Sequence, residues 1–204
     1  MAADTPTVYL VDDDAGVLIA LSRLLGSVGY CVQPCISAEE FLECHDPDVP
    51  GCAVLDLHLP GMDGFGLQDN LAGATSDRPI IFLTGHGDIP ASVKAIKAGA
   101  IDFLTKPVEA PALLAAISAA LVRDLQVRSD ANQRQSVECR LASLTARERE
   151  VLSHVVAGRL NKQIAAELGI AEKTIKVHRG RMMEKMDVQT VAELVRLVTL
   201  YETH

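Results

Sequence analysis

Along the first half of the chain, short apolar runs alternate with stretches of helical periodicity, and no other feature narrows the possible folds as much. The runs are VYLV (8–11), YCVQP (30–34), CAVL (52–55), PIIFL (79–83) and IDFL (101–104). Between them lie GVLIALSRLLGSV, SAEEFLEC, FGLQDNLAG and IPASVKAIKAGA, each with apolar residues at helical spacing. A further helix is predicted over residues 110–128, after Pro107. Strands apolar on both faces cannot leave either face to water, so the pattern predicts a parallel sheet covered by helices on two sides.

Repetition of this unit predicts an α/β domain over residues 1–122: a flavodoxin-like, five-stranded parallel sheet of order 2-1-3-4-5. In such sheets ligands bind outside the carboxyl ends of the strands. Asp12 and Asp13 follow the first run, Asp56 the third, Thr84 the fourth and Lys106 the fifth. Three carboxylates, a hydroxyl and an ammonium are thus directed to one rim. Clustered carboxylates repel unless a hard dication lies among them, and Mg²⁺ takes carboxylate, water and phosphate oxygens. A carboxylate beside Mg²⁺ can act as a nucleophile toward phosphorus, with Lys and Thr holding the other phosphoryl oxygens. A cis bond between Lys106 and Pro107 would aim the lysine inward. Asp14, Asp63, Asp88 and Asp102 read as helix caps or turn formers, and His58 and His86 as rim side chains.

Charge divides the chain. Residues 1–125 carry 6 Lys and Arg against 17 Asp and Glu, whereas residues 145–204 carry 10 against 8, within a net charge of −8. Two domains with different partners are expected. No apolar run approaches the roughly 20 residues that span a bilayer, and MAADTPTV lacks a signal-peptide pattern. The 5 cysteines are odd in number and lack zinc spacing, so they read as buried thiols. A cytoplasmic protein with no membrane partner is the expectation.

The second half has no Gly or Pro between 112 and 157, so residues 123–142 form a linker that is either a helical extension or a flexible spacer. Thr145 with Glu148 is a capping box, with Leu144 as staple, opening a helix that stops near Gly158. NKQIAAELGI gives a short helix from Asn161 to Gly169; residues 172–186 give the next, and TVAELVRLVTL the last. Four helices with one tight turn predict an all-α helix-turn-helix domain over 143–204. In the third of these helices Ile175, His178, Met182 and Met186 share an inward stripe. Lys173, Lys176, Val177 and Gly180 share the opposite one. That outward face suits a major groove, where phosphates line the edges and bases offer guanine acceptors and thymine methyls.

The motifs VDDD, LDLHLPGMDG, LTGHGD and KAGAIDFLTKP resemble the receiver domain of bacterial two-component response regulators, and TGHGDIP resembles its FixJ branch. The resemblance implies Asp56 as phosphoacceptor for a sensor histidine kinase. It implies Mg²⁺ held directly by Asp13, Asp56 and the His58 backbone carbonyl, and by Asp12 through water. Thr84 and Phe103 match the switch pair, and Lys106 the phosphate-binding lysine. LTAREREVL, NKQIAAELGI and KTIKVHRGRMMEKM resemble the LuxR/NarL-type helix-turn-helix. This implies base contacts from Lys176, Val177 and Gly180, and backbone contacts from Lys162, Lys173, Thr174, Arg181 and Lys185, to double-stranded DNA. Ala171 replaces the usual Ser cap, forgoing roughly 0.5–2 kcal/mol, and Gly180 offers no side chain. The implied protein is a transcription regulator that forms a homodimer when phosphorylated. Its enzymology would be limited to self-phosphorylation and slow autodephosphorylation at Asp56. Two rivals differ in class: a Mg²⁺-dependent aspartyl-phosphate phosphatase, which wants Asp-x-Asp where this chain has Asp56 and His58, and a DNA-binding protein with an inert receiver.

Overall fold

The computed structural model describes residues 5–73, 78–85 and 89–202; His86, read above as a rim side chain, and Asp88, read as a cap or turn former, lie outside them. The chain divides into two compact units, Met1–Arg128 and Ser129–His204.

The first unit is the doubly wound sheet that the alternation predicts. Its strands are β1 (Thr7–Val11), β2 (Cys31–Cys35), β3 (Gly51–Asp56), β4 (Ile80–Thr84) and β5 (Asp102–Thr105). All pair in parallel, in the order β2-β1-β3-β4-β5. The helices α1 (Ala15–Ser27), α2 (Ala38–Cys44), α3 (Gly64–Gly73) and α4 (Ile89–Lys97) connect them, and α5 (Ala110–Ala142) follows β5. Each strand feeds both faces, because successive side chains point oppositely. Tyr9 and Val11 of β1 pack with Phe41, Leu55, Leu67 and Phe82, while Val8 and Leu10 pack with Leu21, Leu25, Val54, Ile81 and Ile117. Pro34 is tolerated in β2 because that strand lies at the sheet edge.

Three local readings are sharpened. Asp14 caps α1, accepting from the Gly16 and Val17 N–H groups, and Asp63 accepts from Gly66 N–H. Asp102 caps no helix; it opens β5 and accepts from Phe103 N–H. Cys31, Cys44 and Cys139 are exposed, and only Cys35 and Cys52 are buried. The expectation of buried thiols therefore fails for three positions: Cys31 lies on an edge strand, Cys44 at a helix end, and Cys139 on a polar stretch of α5.

The linker is helical throughout, since α5 is one helix of 33 residues. It is long and apolar enough to cross a membrane by length and composition, although polar residues interrupt its apolar ones and alanines supply much of its hydropathy. Its apolar face is occupied within the first unit, where Leu113, Ala116, Ile117 and Ala120 are buried against the sheet.

The second unit holds α6 (Ala146–Val156), α7 (Asn161–Leu168), α8 (Glu172–Lys185) and α9 (Val191–Glu202). Thr145 and Glu148 form the capping box and Leu144 is buried beneath it. Gly169 ends α7 at φ +65°, a left-handed conformation that admits the tight turn into α8. Ile175, Met182 and Met186 are buried with Val151, Ile164 and Leu194, and His178 is half-buried.

Candidate functional site

Parallel pairing brings the ends of β1, β3, β4 and β5 to one edge, and the polar residues that follow them meet there. One carboxylate oxygen from each of Asp12, Asp13 and Asp56 lies within 4.8 Å of the others. Asp12 and Asp56 are buried and Asp13 is exposed. The Lys106 ammonium donates to Asp12 Oδ2 at 2.5 Å and to Asp56 Oδ2 at 2.6 Å. The second oxygens are also held: Asp12 Oδ1 accepts from Asp14 N–H at 3.0 Å, and Asp56 Oδ1 from His58 N–H at 2.9 Å. The Lys106–Pro107 bond is cis. Thr84 is fully buried at the end of β4, and its carbonyl accepts from Lys106 N–H at 2.7 Å. The His58 side chain is exposed, as a rim residue should be.

The charges do not balance. One ammonium faces three carboxylates, two of them out of water. Burial raises the Asp12 carboxyl above its usual range, an effect that the hydrogen bond from Lys106 only partly offsets. Burial alone would lower Lys106, yet its bonds to Asp12 and Asp56 outweigh this and hold the ammonium above its usual value. Hard oxygen donors with excess negative charge on a solvent-facing rim suit a small dication such as Mg²⁺.

Beside the rim, Phe103 is half-buried and its ring centroid lies 6.4 Å from that of Phe82, which in turn is 5.4 Å from Phe65. Gly64 is required here by close approach: a Cβ would fall 2.6 Å from the Asp56 carbonyl oxygen and 2.9 Å from the Phe82 ring.

At the far end of the sheet lies a network that sequence reading missed. Arg78 donates to His45 Nε2 (3.0 Å), Val49 O and Asp46 O, and lies over the Tyr9 ring. Arg128 donates to Asp124 and to the carbonyls of Pro47, Asp48 and Val49; Asp124 also accepts from Gly51 N–H. Two arginines from distant segments thus hold the loop entering β3. Burial, with Arg78 adjacent, lowers the His45 imidazole to about 4. Carbonyl acceptors leave no mark in sequence, so only Asp124 and Arg128, four apart on one helix, carried any signal.

In the second unit Lys173, Thr174, Lys176, Val177, Gly180 and Arg181 of α8 are all exposed, as is Lys162 of α7. Neither α7 nor α8 has a side-chain cap from the residue before it, Leu160 or Ala171. Lys185 stands apart from this group. Its ammonium donates to Glu148 at 2.7 Å and to Ser143 O at 2.9 Å. Sequence reading also missed Arg179, which donates to Asn161 Oδ1 at 2.9 Å and so ties α8 to the start of α7. The bond from Lys185 and that from Thr145 N–H lower Glu148 to about 2.

Family comparison identifies both domains. Residues 8–118 match the response regulator receiver domain, and residues 142–198 match the bacterial regulatory proteins of the luxR family. The chain is 46% identical to the response regulator protein TodT of Pseudomonas putida, over 97% of this chain and 87% of that protein. It is 40% identical to the transcriptional regulatory protein FixJ of Bradyrhizobium diazoefficiens, over 93% of each. Among solved structures, the response regulator StyR matches with a TM-score of 0.89 at 47% identity, over 97% of this chain and 100% of that one. These relatives are transcriptional response regulators rather than enzymes, and each spans both domains. The receiver carries the acidic rim, the luxR-type domain carries the exposed basic face, and the chain belongs to the two-component response regulators with a receiver and a LuxR-type helix-turn-helix.

Proposed function

We propose that Asp56 accepts a phosphoryl group from a sensor histidine kinase, and that this event controls binding of α8 in a DNA major groove. The observation that carries the reading is the convergence of Asp12, Asp13 and Asp56 around the Lys106 ammonium. Asp13, Asp56 and the His58 carbonyl would hold Mg²⁺ directly, and Asp12 through water. The ion would supply positive charge against the transferring phosphoryl oxygens. Asp56 provides the attacking oxygen. Lys106, already bonded to that carboxylate, turns its ammonium to a phosphoryl oxygen, and the Thr84 hydroxyl takes another. Thr84 moving toward the rim frees space that Phe103 follows into, altering the surface of α4, β5 and the start of α5. That surface then pairs two copies. Coupling of this kind is typically about 1–3 kcal/mol, so phosphorylation shifts a population rather than building a new fold.

For DNA, Lys176, Val177 and Gly180 face the bases, while Lys162, Lys173, Thr174 and Arg181 meet phosphates. Lys185 contributes chiefly by bracing Glu148, with any phosphate contact requiring it to leave that carboxylate. A paired regulator would bind half-sites about one helical turn, or a multiple, apart. The test is incubation with Mg²⁺ and a small phosphodonor, then measurement of phosphate incorporation, dimerisation and DNA binding. A stable label lost in Asp56→Asn supports the reading. Multiple-turnover hydrolysis of diverse phosphoesters would favour a phosphatase, and equal DNA affinity with and without label an inert receiver.

A further inference from the structure

Cys35 and Cys44 are nine positions apart, yet their sulfurs lie 3.3 Å from each other. Among the described residues no other two thiols touch. Cys35 is the last residue of β2 and is fully buried; Cys44 is the last residue of α2 and is exposed. One cysteine therefore lies at the surface, where a solution oxidant can approach, and the other is shielded behind it with its sulfur within contact distance. Cys44 also donates weakly to Phe41 O at 3.5 Å, a bond that a modest rotation gives up.

We propose that Cys44 is a site of reversible oxidation by hydrogen peroxide, with Cys35 as the resolving thiol that closes an intramolecular disulfide. In the first step the Cys44 thiolate attacks the peroxide O–O bond. An S–O bond forms, the O–O bond breaks, hydroxide leaves and takes up a proton as water, and Cys44 becomes a sulfenic acid. In the second step the Cys35 sulfur attacks the Cys44 sulfur. The S–S bond forms, the S–O bond breaks, and the hydroxyl departs as water with the Cys35 proton. Two thiols lose two electrons and one peroxide becomes two waters. A dithiol reductant reverses the change by exchange.

The position gives the crosslink consequence for the fold. The Cys35 carbonyl accepts from Asp12 N–H at 3.2 Å, so the bridge would tie the end of α2 to a residue one hydrogen bond from the acidic rim. The other thiols do not compete within the chain: Cys52 is buried in the sheet, and Cys31 and Cys139 are exposed without a sulfur neighbour.

The experiment uses the full-length reduced protein, freed of reductant and treated with hydrogen peroxide, then read by intact mass and non-reducing peptide mapping. The expected result is a loss of two hydrogens and a peptide linking Cys35 to Cys44, both reversed by a dithiol. Cys35→Ala should leave a Cys44 sulfenic acid trapped by dimedone; Cys44→Ser should give neither bridge nor label at Cys35. Oxidation of Cys44 to sulfinic acid without a bridge, disulfides only between copies through Cys31 or Cys139, or an unchanged wild-type mass would each overturn the proposal. The wild-type readout does not depend on whether a variant folds. Because it is a mass and not phosphate acceptance, its failure leaves the role of Asp56 untouched.

Discussion

Lys106 places its ammonium 2.6 Å from Asp56 Oδ2, across fifty positions of sequence, and the same nitrogen reaches Asp12. One cation therefore serves two buried carboxylates while a third, Asp13, stands within 4.8 Å. The rim is poised between its internal cation and an added one, and both that competition and the packing that supports it have measurable consequences.

Lys106→Met removes the internal cation. Mg²⁺ affinity, measured by calorimetric titration, should tighten at least roughly threefold to tenfold, since a unit charge about 4 Å away is worth about 1 kcal/mol even in a water-like dielectric and more where the rim is shielded. Phosphate incorporation should nevertheless fall at least about tenfold, because a charge-assisted contact to the phosphoryl group is lost. Unaltered Mg²⁺ affinity would show that ammonium and dication do not compete.

Gly64→Ala presses a methyl group against the Asp56 carbonyl and the Phe82 ring, neither of which is a flexible chain end. Overpacking of this kind costs about 1–3 kcal/mol, so the receiver Tm should drop by roughly 5–10 °C. Phosphate incorporation should fall with it, since the strain falls on the backbone that carries Asp56.

His45 is held neutral, near 4 rather than 6.5, by burial and by Arg78. A group lowered in this way binds more protons when unfolded. Its stabilisation is complete above pH 6.5 and drains away as pH falls toward 4. After discounting for partial exposure, the loss amounts to roughly 1–2 kcal/mol. Receiver melts between pH 7 and 4 should show it, and His45→Gln should flatten that stretch of the curve.

Glu148 responds in a lower window. Its carboxyl is lowered from 4.5 to about 2 by Lys185 and Thr145. The stability it lends is therefore whole above pH 4.5 and disappears as pH falls through 2. Glu148→Gln retains the capping geometry without the charge, so its Tm deficit at neutral pH should vanish by pH 2. A deficit that persists there would place the effect in packing instead.

Lys176 and Lys185 lie on the same helix but should fail differently. Lys176 is exposed, with only a loose ion pair to Glu172 at 3.6 Å. Lys176→Ala should weaken DNA binding and either relax specificity at one base or lower the salt slope by about one unit. Lys185→Ala unpairs Glu148 and should lower the thermal stability of the helix-turn-helix domain, with a smaller effect on the salt slope.

The strands, the helices and the identities of the rim residues were legible before any coordinates, because they depend on local periodicity and on the polar residue that ends each apolar run. Boundaries fell within one or two residues of those observed for every strand. Asp12, Asp13, Asp56, Thr84 and Lys106 could be placed together because parallel pairing sends every strand end to the same edge. The capping box at Thr145 and the turn at Gly169 were likewise readable, since each is a short-range hydrogen-bonding or backbone requirement.

Other features depend on residues that approach one another only after the chain has packed. That Lys185 binds Glu148, that Arg78 and Arg128 grip one loop, and that Cys35 meets Cys44 could not be read from spacing. Residue type states what a group can do, whereas partner and exposure are set by where distant segments meet. The linker makes the same point from the other side. Its composition allowed either a coil or a helix, and α5 runs unbroken because its first turns are anchored on the sheet by Leu113, Ile117 and Ala120, and each later turn then adds one hydrogen bond per residue without a new nucleus.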